Sequence, residues 1–288
     1  MNPANFSTIA FPSLGIEVNP GRTLTLGPLT VYYYGVIIAL GLILGMVYSC
    51  KRAKKFGLKE DDVLDGFLWV TPLAIVCARI YYVAFSWADY AANPISVLYI
   101  WEGGIAIYGG VIGAIVGMAV FSKFRKLKLL AVLDVILMVF LLGQSIGRWG
   151  NFMNREAFGA PTESFFRMGL FNTKTGAWEY FHPTFLYESA WNAVGFVLLH
   201  FLSRKRKYDG QIALCYAAWY GLGRSFIEGL RMDSLYWGPF RVSQVLAALS
   251  CVGAVVVLTI QLFRDPDPKK MFVHQVAQEA EPQEPEAE

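Results

Sequence analysis

Hydrophobic positions in this chain gather into long runs separated by short polar stretches, with no sustained alternation of the kind that marks strands. Seven segments, 30–49, 64–86, 103–121, 129–146, 183–202, 211–230 and 242–263, are predominantly apolar. Each is close to the roughly 20 residues that a helix needs to cross a bilayer. Tyrosine, glutamate, glycine or arginine interrupts the third, fifth and sixth. The pattern predicts an all-α integral membrane protein with seven transmembrane helices. It also divides the chain into an outer N-terminal segment (1–29), a seven-helix membrane domain (30–264) containing an outer segment (147–182), and a tail (265–288). The tail is rich in Pro, Glu, Gln and Ala and is expected to be disordered and cytoplasmic. No repeat of two related halves stands out. The first residues lack a basic n-region, so no cleavable signal peptide is expected.

Composition supports the membrane reading, since 55% of residues are hydrophobic and only 16% are charged. A soluble domain carries about 25% charged residues. The net charge of +3 is too small to suggest nucleic acid as a partner. The basic residues follow topology instead. Clusters at Lys51, Arg52, Lys54 and Lys55, at Lys123, Arg125, Lys126 and Lys128, at Arg204, Lys205, Arg206 and Lys207, and at Arg264, Lys269 and Lys270 fall on one side of a seven-span arrangement. The positive-inside rule makes that side the cytoplasm, with the N-terminus outside and the C-terminus cytoplasmic. The opposite loop at 87–99 has no Lys or Arg. Exceptions to the rule, Arg148, Arg155, Arg167, Lys174, Arg231 and Arg241, are therefore candidates for function. Trp87, Trp101, Trp149, Trp178 and Trp237 fit an interfacial aromatic belt. Cys50, Cys77, Cys215 and Cys251 read as small apolar packing residues. His182, His200 and His274 are too scattered for a metal site, and neither a metal nor a cofactor is expected.

The densest chemistry follows the fourth apolar run, whose only charge is Asp134. It reads Gly147-Arg148-Trp149-Gly150-Asn151-Phe152-Met153-Asn154-Arg155-Glu156-Ala157-Phe158-Gly159. Ionisable and amide groups are expensive where a membrane helix meets water and usually serve chemistry or binding. An interfacial loop with snorkelling arginines and turn glycines is the alternative.

Other costly residues fall toward the same outer leaflet. Tyr34 lies near the outer end of the first helix and Arg79 in the outward half of the second; Glu102 and Tyr108 flank the start of the third. His182, Tyr187 and Glu188 open the fifth. In the sixth, Tyr220, Arg224, Glu228 and Arg231 recur at spacings of four, four and three, which stacks them on one helical face. Together these residues outline a cavity open to the outer leaflet. Arg79, Arg148, Arg224 and Arg231 suit a phosphate, because guanidinium is a planar fork of donors that stays charged in a low dielectric. Glu188 and Glu228 would hold the arginines, and the remaining positive charge calls for an anionic ligand. Intramembrane ion pairs that only fix helix packing are the competing explanation. Gly109, Gly113 and Gly117 form a small-residue ridge on the third helix, and Gly41 with Gly45 a shorter one on the first, both suited to close packing.

From about Tyr33 to Ser243 the chain resembles the prolipoprotein diacylglyceryl transferases, bacterial enzymes that attach the first lipid to lipoprotein precursors. The family signature is matched by the run from Gly147 to Glu156, closed by Gly159. Supporting blocks are Tyr34-Gly35, Trp101-Glu102-Gly103-Gly104, Gly109-Gly110, His182-Pro183-Thr184 with Leu186-Tyr187-Glu188, and Tyr220-Gly221-Leu222 leading to Arg224, Glu228 and Arg231. Several ordered blocks are far more specific than one motif.

The resemblance implies seven helices in the bacterial cell membrane, with the N-terminus outside and the active site facing the outer leaflet. The implied reaction moves the diacylglyceryl group of phosphatidylglycerol to the lipobox cysteine thiol of a prolipoprotein, releasing glycerol 1-phosphate. It makes Arg148 and Arg224 the catalytic residues that meet developing phosphate charge. Tyr34, Arg79, Asn151, Asn154, Glu156, Gly159, Glu228 and Arg231 would join Arg148 in binding the lipid. One departure stands out: Tyr108 precedes Gly109-Gly110 where many members have histidine. An ordinary tyrosine has a pKa near 10, so Tyr108 enters the catalytic set as a hydrogen-bond donor and not as a base. A transporter or binder of anionic phospholipid is the alternative, but it calls for polar residues continuing into the inner halves of the helices, and few are present. A protease or hydrolase calls for a nucleophile with a base or metal, and no such spacing stands out.

Overall fold

The computed structural model describes residues 3–27, 29–100 and 103–280. Its helices run in the order α1 (Tyr33–Arg52), α2 (Glu60–Phe85), the single turn α3 (Trp87–Tyr90), α4 (Ile107–Phe124), α5 (Leu129–Asn154), α6 (Thr184–Leu202), α7 (Gln211–Leu230), α8 (Val242–Arg264) and α9 (Phe272–Ala280). Among the described residues, six helices are long and apolar enough to cross a membrane; these contain α1, α2, α4, α5, α6 and α8. The long helix outside that set is α7, because Tyr216, Trp219, Tyr220, Arg224 and Glu228 dilute its apolar surface. Leu246, Leu249, Val252 and Val256 of α8 and Ile38, Leu40 and Ile43 of α1 lie on the outside of the protein. Apolar side chains displayed along whole helices suit lipid as the surrounding solvent.

The chain forms two compact units, Met1–Val47 with Ile136–Pro268, and Tyr48–Val135 with Lys269–Glu288. Within the second, α2 packs along α4. The glycine ridge permits this contact: a Cβ at Gly117 would come within 2.9 Å of Leu73 Cδ2, and one at Gly113 within 2.8 Å of Cys77 Sγ. Arg125 ties the two helices near one end through Asp62 at 3.2 Å and through Asp65. The tail differs from expectation. A 3-10 turn, Pro268–Lys270, leads into α9, and α9 meets the 3-10 turn Ala53–Phe56. Met271, Phe272 and Val273 supply the apolar docking residues that the Glu- and Pro-rich average concealed, and Met271 is buried.

The first unit corrects the all-α expectation. The N-terminal segment and the outer segment after α5 join in one antiparallel sheet of order β2-β1-β5-β6, with β1 at Phe6–Phe11, β2 at Ile16–Val18, β5 at Met168–Asn172 and β6 at Ala177–Phe181. Two hairpins, β3 (Thr23–Leu26) with β4 (Leu29–Tyr32) and β7 (Tyr236–Trp237) with β8 (Phe240–Arg241), lead into α1 and α8. Under the four-stranded sheet lie Phe6, Ile9, Phe158, Met168, Leu170, Phe181 and Phe185. Phe158 packs tilted against Phe181, with ring centroids 4.5 Å apart, and meets Phe6 edge-on at 5.7 Å. Aromatic burial of this kind drives folding through area and ring geometry together. Because Phe158 belongs to the signature run, the sheet's core anchors that run directly.

Candidate functional site

The signature does not begin as a loop. Helix α5 continues through Asn154, eight residues beyond the expected end at 146. Arg148 and Asn151 are therefore neighbours at a helical spacing of three. Gly147 and Gly150, which suggest a turn in the sequence, are helical; at Gly150 a Cβ would collide with the ring of Tyr34. That close approach brings Tyr34 across the helix carrying Arg148, within electrostatic reach of Arg148 and Glu156. The chain turns only at Arg155 and Ala157, both left-handed with φ of 55° and 56°. Glu156 then folds back, its Oε1 accepting from Asn151 Nδ2 at 3.0 Å and Asn154 Nδ2 at 3.3 Å.

Three helices bring the charges together. Glu188 of α6 accepts from Arg148 Nη2 of α5 at 2.5 Å and from Arg224 Nη1 of α7 at 2.9 Å. Arg224 Nη2 also pairs with Glu228 Oε2 at 2.5 Å, and Arg148 Nη1 donates to Asn151 Oδ1 at 3.1 Å. Tyr220 lies within electrostatic reach of both arginines and Glu188. The carboxylates sit at the back: Glu188 and Glu228 side chains are 2% exposed, against 21% for Arg148 and 15% for Arg224. Arg148 commits two of its five N–H groups to hydrogen bonds and Arg224 one, beside its ion pair with Glu228, leaving N–H groups on both for another acceptor.

The expected surplus of positive charge is smaller than the sequence implied. Arg231 makes a two-point contact with Asp233, at 2.9 and 2.7 Å, and approaches Glu228 at 4.0 Å. Burial alone would push the Asp233 carboxyl up, but the Arg231 bond and charge more than offset it and hold it below the usual value. This pair is thus present at neutral pH and is lost as pH falls through that lowered value.

Several contacts fix the helices that carry the cluster. Ser145 and Ser189 donate reciprocally to each other's carbonyl at 2.9 Å, and Trp149 Nε1 donates to Ser189 Oγ at 3.2 Å. Between α6 and α7, Trp191 and Trp219 stack at 4.3 Å, each indole donating to the other's carbonyl at 3.0 Å. This pair sets Glu188 against Arg224. The sequence alone does not single it out, although indoles facing Gly223 and Gly195 are its packing signature. Beyond the signature turn, Gly159 N donates to His182 O at 2.9 Å and Ala160 N to Leu230 O at 2.7 Å. Gly159 thereby sits between the start of α6 and the end of α7.

Arg155 has a scaffolding role. It donates to Ser7 O at 2.8 Å, Met153 O at 3.0 Å, Asn19 Oδ1 at 2.9 Å and Pro20 O at 2.8 Å. Burial, then the charge of Arg22, lowers its pKa, yet an arginine stays protonated at any physiological pH. Arg155→Ala is expected to loosen the N-terminal segment and cost about 3 kcal/mol, the scale for removing one partner from buried charge-assisted bonds. Limited proteolysis should then show new cleavage around residues 19–22.

Arg79 and Tyr108 belong to the second unit. Tyr108 stands exposed in the first turn of α4. Arg79 departs from its expected phosphate role: it donates to the carbonyls of Val97 at 2.8 Å, Gly103 at 2.5 Å, Gly104 at 2.8 Å, Ser96 at 2.9 Å and Tyr99 at 3.4 Å. Its guanidinium also lies over Tyr90, 5.1 Å from the ring centroid. A fork so occupied organises the loop preceding α4. Arg79→Gln should make the chain near residues 94–104 protease-sensitive, with a retained cleavage pattern arguing against that role. Trp101 and Glu102 lie outside the described residues.

A family model described as prolipoprotein diacylglyceryl transferase matches residues 22–260. Proteins called phosphatidylglycerol–prolipoprotein diacylglyceryl transferase from Limosilactobacillus reuteri and Enterococcus faecalis are both 44% identical to the chain. The first aligns over 82% of this chain and 88% of its own length, the second over 90% and 91%. One from Halalkalibacterium halodurans is 44% identical over 81% of this chain and 83% of its own length. With the signature on α5 and its arginine cluster in place, the chain belongs to the prolipoprotein diacylglyceryl transferase family.

Proposed function

We propose that this chain transfers the diacylglyceryl group of phosphatidylglycerol to the lipobox cysteine thiol of prolipoproteins, the first step of bacterial lipoprotein maturation. The observation that carries this reading is the arginine pair held on one buried carboxylate, Glu188, beside the family signature. The cysteine sulfur attacks the glycerol carbon that bears the phosphate ester. A C–S bond forms, the C–O bond breaks with its electron pair going to oxygen, and glycerol 1-phosphate leaves. The thiol proton is lost in the same exchange, and no residue is assigned as its base. A singly charged diester becomes a monoester with more negative charge, so cations aimed at its oxygens lower the barrier more than they stabilise bound lipid.

Arg148 and Arg224 take that role with their remaining N–H groups. Asn151, Asn154 and Glu156 shape the signature face, Gly159 packs between the start of α6 and the end of α7, Tyr34 borders Arg148, and Glu228 and Arg231 support Arg224. Tyr108 is assigned a hydrogen-bonding role. The setting is the bacterial plasma membrane, crossed seven times with α7 included. The polar face of α7, which lowers its hydropathy, is the face engaged with α6. The N-terminus lies outside, the C-terminus in the cytoplasm and the site toward the outer leaflet, as the four basic clusters favour.

The test incubates purified protein with phosphatidylglycerol and a lipobox peptide, with the peptide read by mass spectrometry. The expected result is a diacylglyceryl-sized gain that disappears in a Cys→Ser peptide. A folded protein that binds phosphatidylglycerol and gives no gain would favour a lipid-binding or transport role.

A further inference from the structure

One helical turn further from the signature than the arginine pair, three helices carry polar side chains. On α5 this is Gln144, four residues before Arg148. On α6 it is Asn192, four after Glu188, and on α7 Tyr220 and Tyr216 precede Arg224 by four and eight. Spacing by four keeps each on the face of its charged neighbour. The level is fixed by observed pairs: Arg148 with Glu188, Ser145 with Ser189, Arg224 with Glu188, and Trp191 with Trp219.

Asn192 is fully buried, and neither its Oδ1 nor its Nδ2 finds a hydrogen-bond partner among the described residues. Gln144 Oε1 is likewise buried without a partner. Buried amides left unsatisfied are rare in native proteins and point to a bound group that satisfies them. These atoms offer two acceptors and a donor. A vicinal diol, with two O–H donors and two accepting oxygens, complements them.

We propose that Asn192 and Gln144 form a subsite for the uncharged polyol headgroup of the donor lipid, an inference that rests on the transferase reading above. The phosphate engages Arg148 and Arg224, and the headgroup extends one turn deeper. The rise of one turn, ~5.4 Å, matches the reach of a three-carbon headgroup beyond its phosphate. Its hydroxyls donate to Asn192 Oδ1 and Gln144 Oε1, and one accepts from Asn192 Nδ2. An ammonium headgroup placed there would face two guanidinium groups, so the subsite selects a neutral polyol over a zwitterionic lipid.

The experiment compares phosphatidylglycerol with phosphatidylpropanol, which has the same phosphate diester and no headgroup hydroxyl. The full-length protein is assayed with a lipobox peptide, and kcat/KM is read for each donor. The wild type should prefer phosphatidylglycerol by at least about tenfold, the scale of one lost hydrogen bond. Asn192→Leu should reduce the phosphatidylglycerol value by about tenfold and leave phosphatidylpropanol within about twofold, so that the preference collapses. Gln144→Leu should shift the ratio in the same direction and decides the matter if Asn192→Leu fails to fold. An unchanged ratio in the folded variants, as a site holding only water would give, overturns the subsite. So does a wild type without a preference. Absence of transfer from either donor by the wild type refutes the transferase reading itself.

Discussion

Arg148→Ala is expected to abolish diacylglyceryl transfer in a protein that still folds and inserts. The expected loss is at least about 10²–10³ in kcat, the scale seen when one preorganised donor to a developing oxyanion is removed. Arg148 presents a planar fork whose Nη2 is fixed by Glu188 and Nη1 by Asn151, so its orientation is set before the lipid arrives. The fold survives because Glu188 keeps Arg224 as a partner, and because the Arg148 side chain is partly exposed and not enclosed in the core. Arg148→Lys should recover only part of the rate, since an ammonium is a point charge without the fork. Turnover in Arg148→Ala close to wild type, measured by peptide mass, would remove Arg148 from the chemistry.

Glu188→Ala has the second largest expected effect, and it acts on stability and turnover together. The substitution leaves two guanidinium groups facing each other without their shared carboxylate. Removing one partner of a buried ion pair costs about 3–5 kcal/mol, so the melting temperature should fall clearly. Turnover should fall as well, since Arg148 and Arg224 lose the contact that sets their spacing. Glu188→Gln keeps the shape and one acceptor, and should sit between wild type and alanine in both measurements. A Glu188→Ala protein with unchanged melting and turnover would mean that the arginines are held by other contacts.

Much of this arrangement was legible because charge inside an apolar run is conspicuous. The repeat Tyr220, Arg224, Glu228, Arg231 identified the polar face of α7 from spacing alone, and the ends of α7 coincide with the apolar run that predicted it. The end of α5 was set too early, at 146, where the apolar run stops; the packing of Trp149 and Phe152 against Phe185 carries the helix on through Gly147 and Gly150. The sheet escaped notice because β1 finds its partner β5 far along the chain, and short strands of mixed polarity announce no partner. The hairpin of β5 and β6 did have a local signal in the run Asn172-Thr173-Lys174-Thr175-Gly176 between aromatic residues. The charge surplus was overestimated because Asp233 lies beyond the apolar run, and because nothing in the local sequence assigns Arg79 to loop carbonyls.

Departure of the phosphate from carbon, driven by the arginine pair, is followed with phosphatidylglycerol carrying ¹⁸O in the oxygen that bridges the diacylglycerol carbon and phosphorus. After reaction with a lipobox peptide, both products are weighed by mass spectrometry. The expected products are an unlabelled diacylglyceryl group on the peptide and the label in an equal amount of glycerol 1-phosphate. Label retained in released diacylglycerol would place cleavage at the P–O bond and contradict it, and loss of phosphatidylglycerol without a modified peptide would contradict transfer to the thiol.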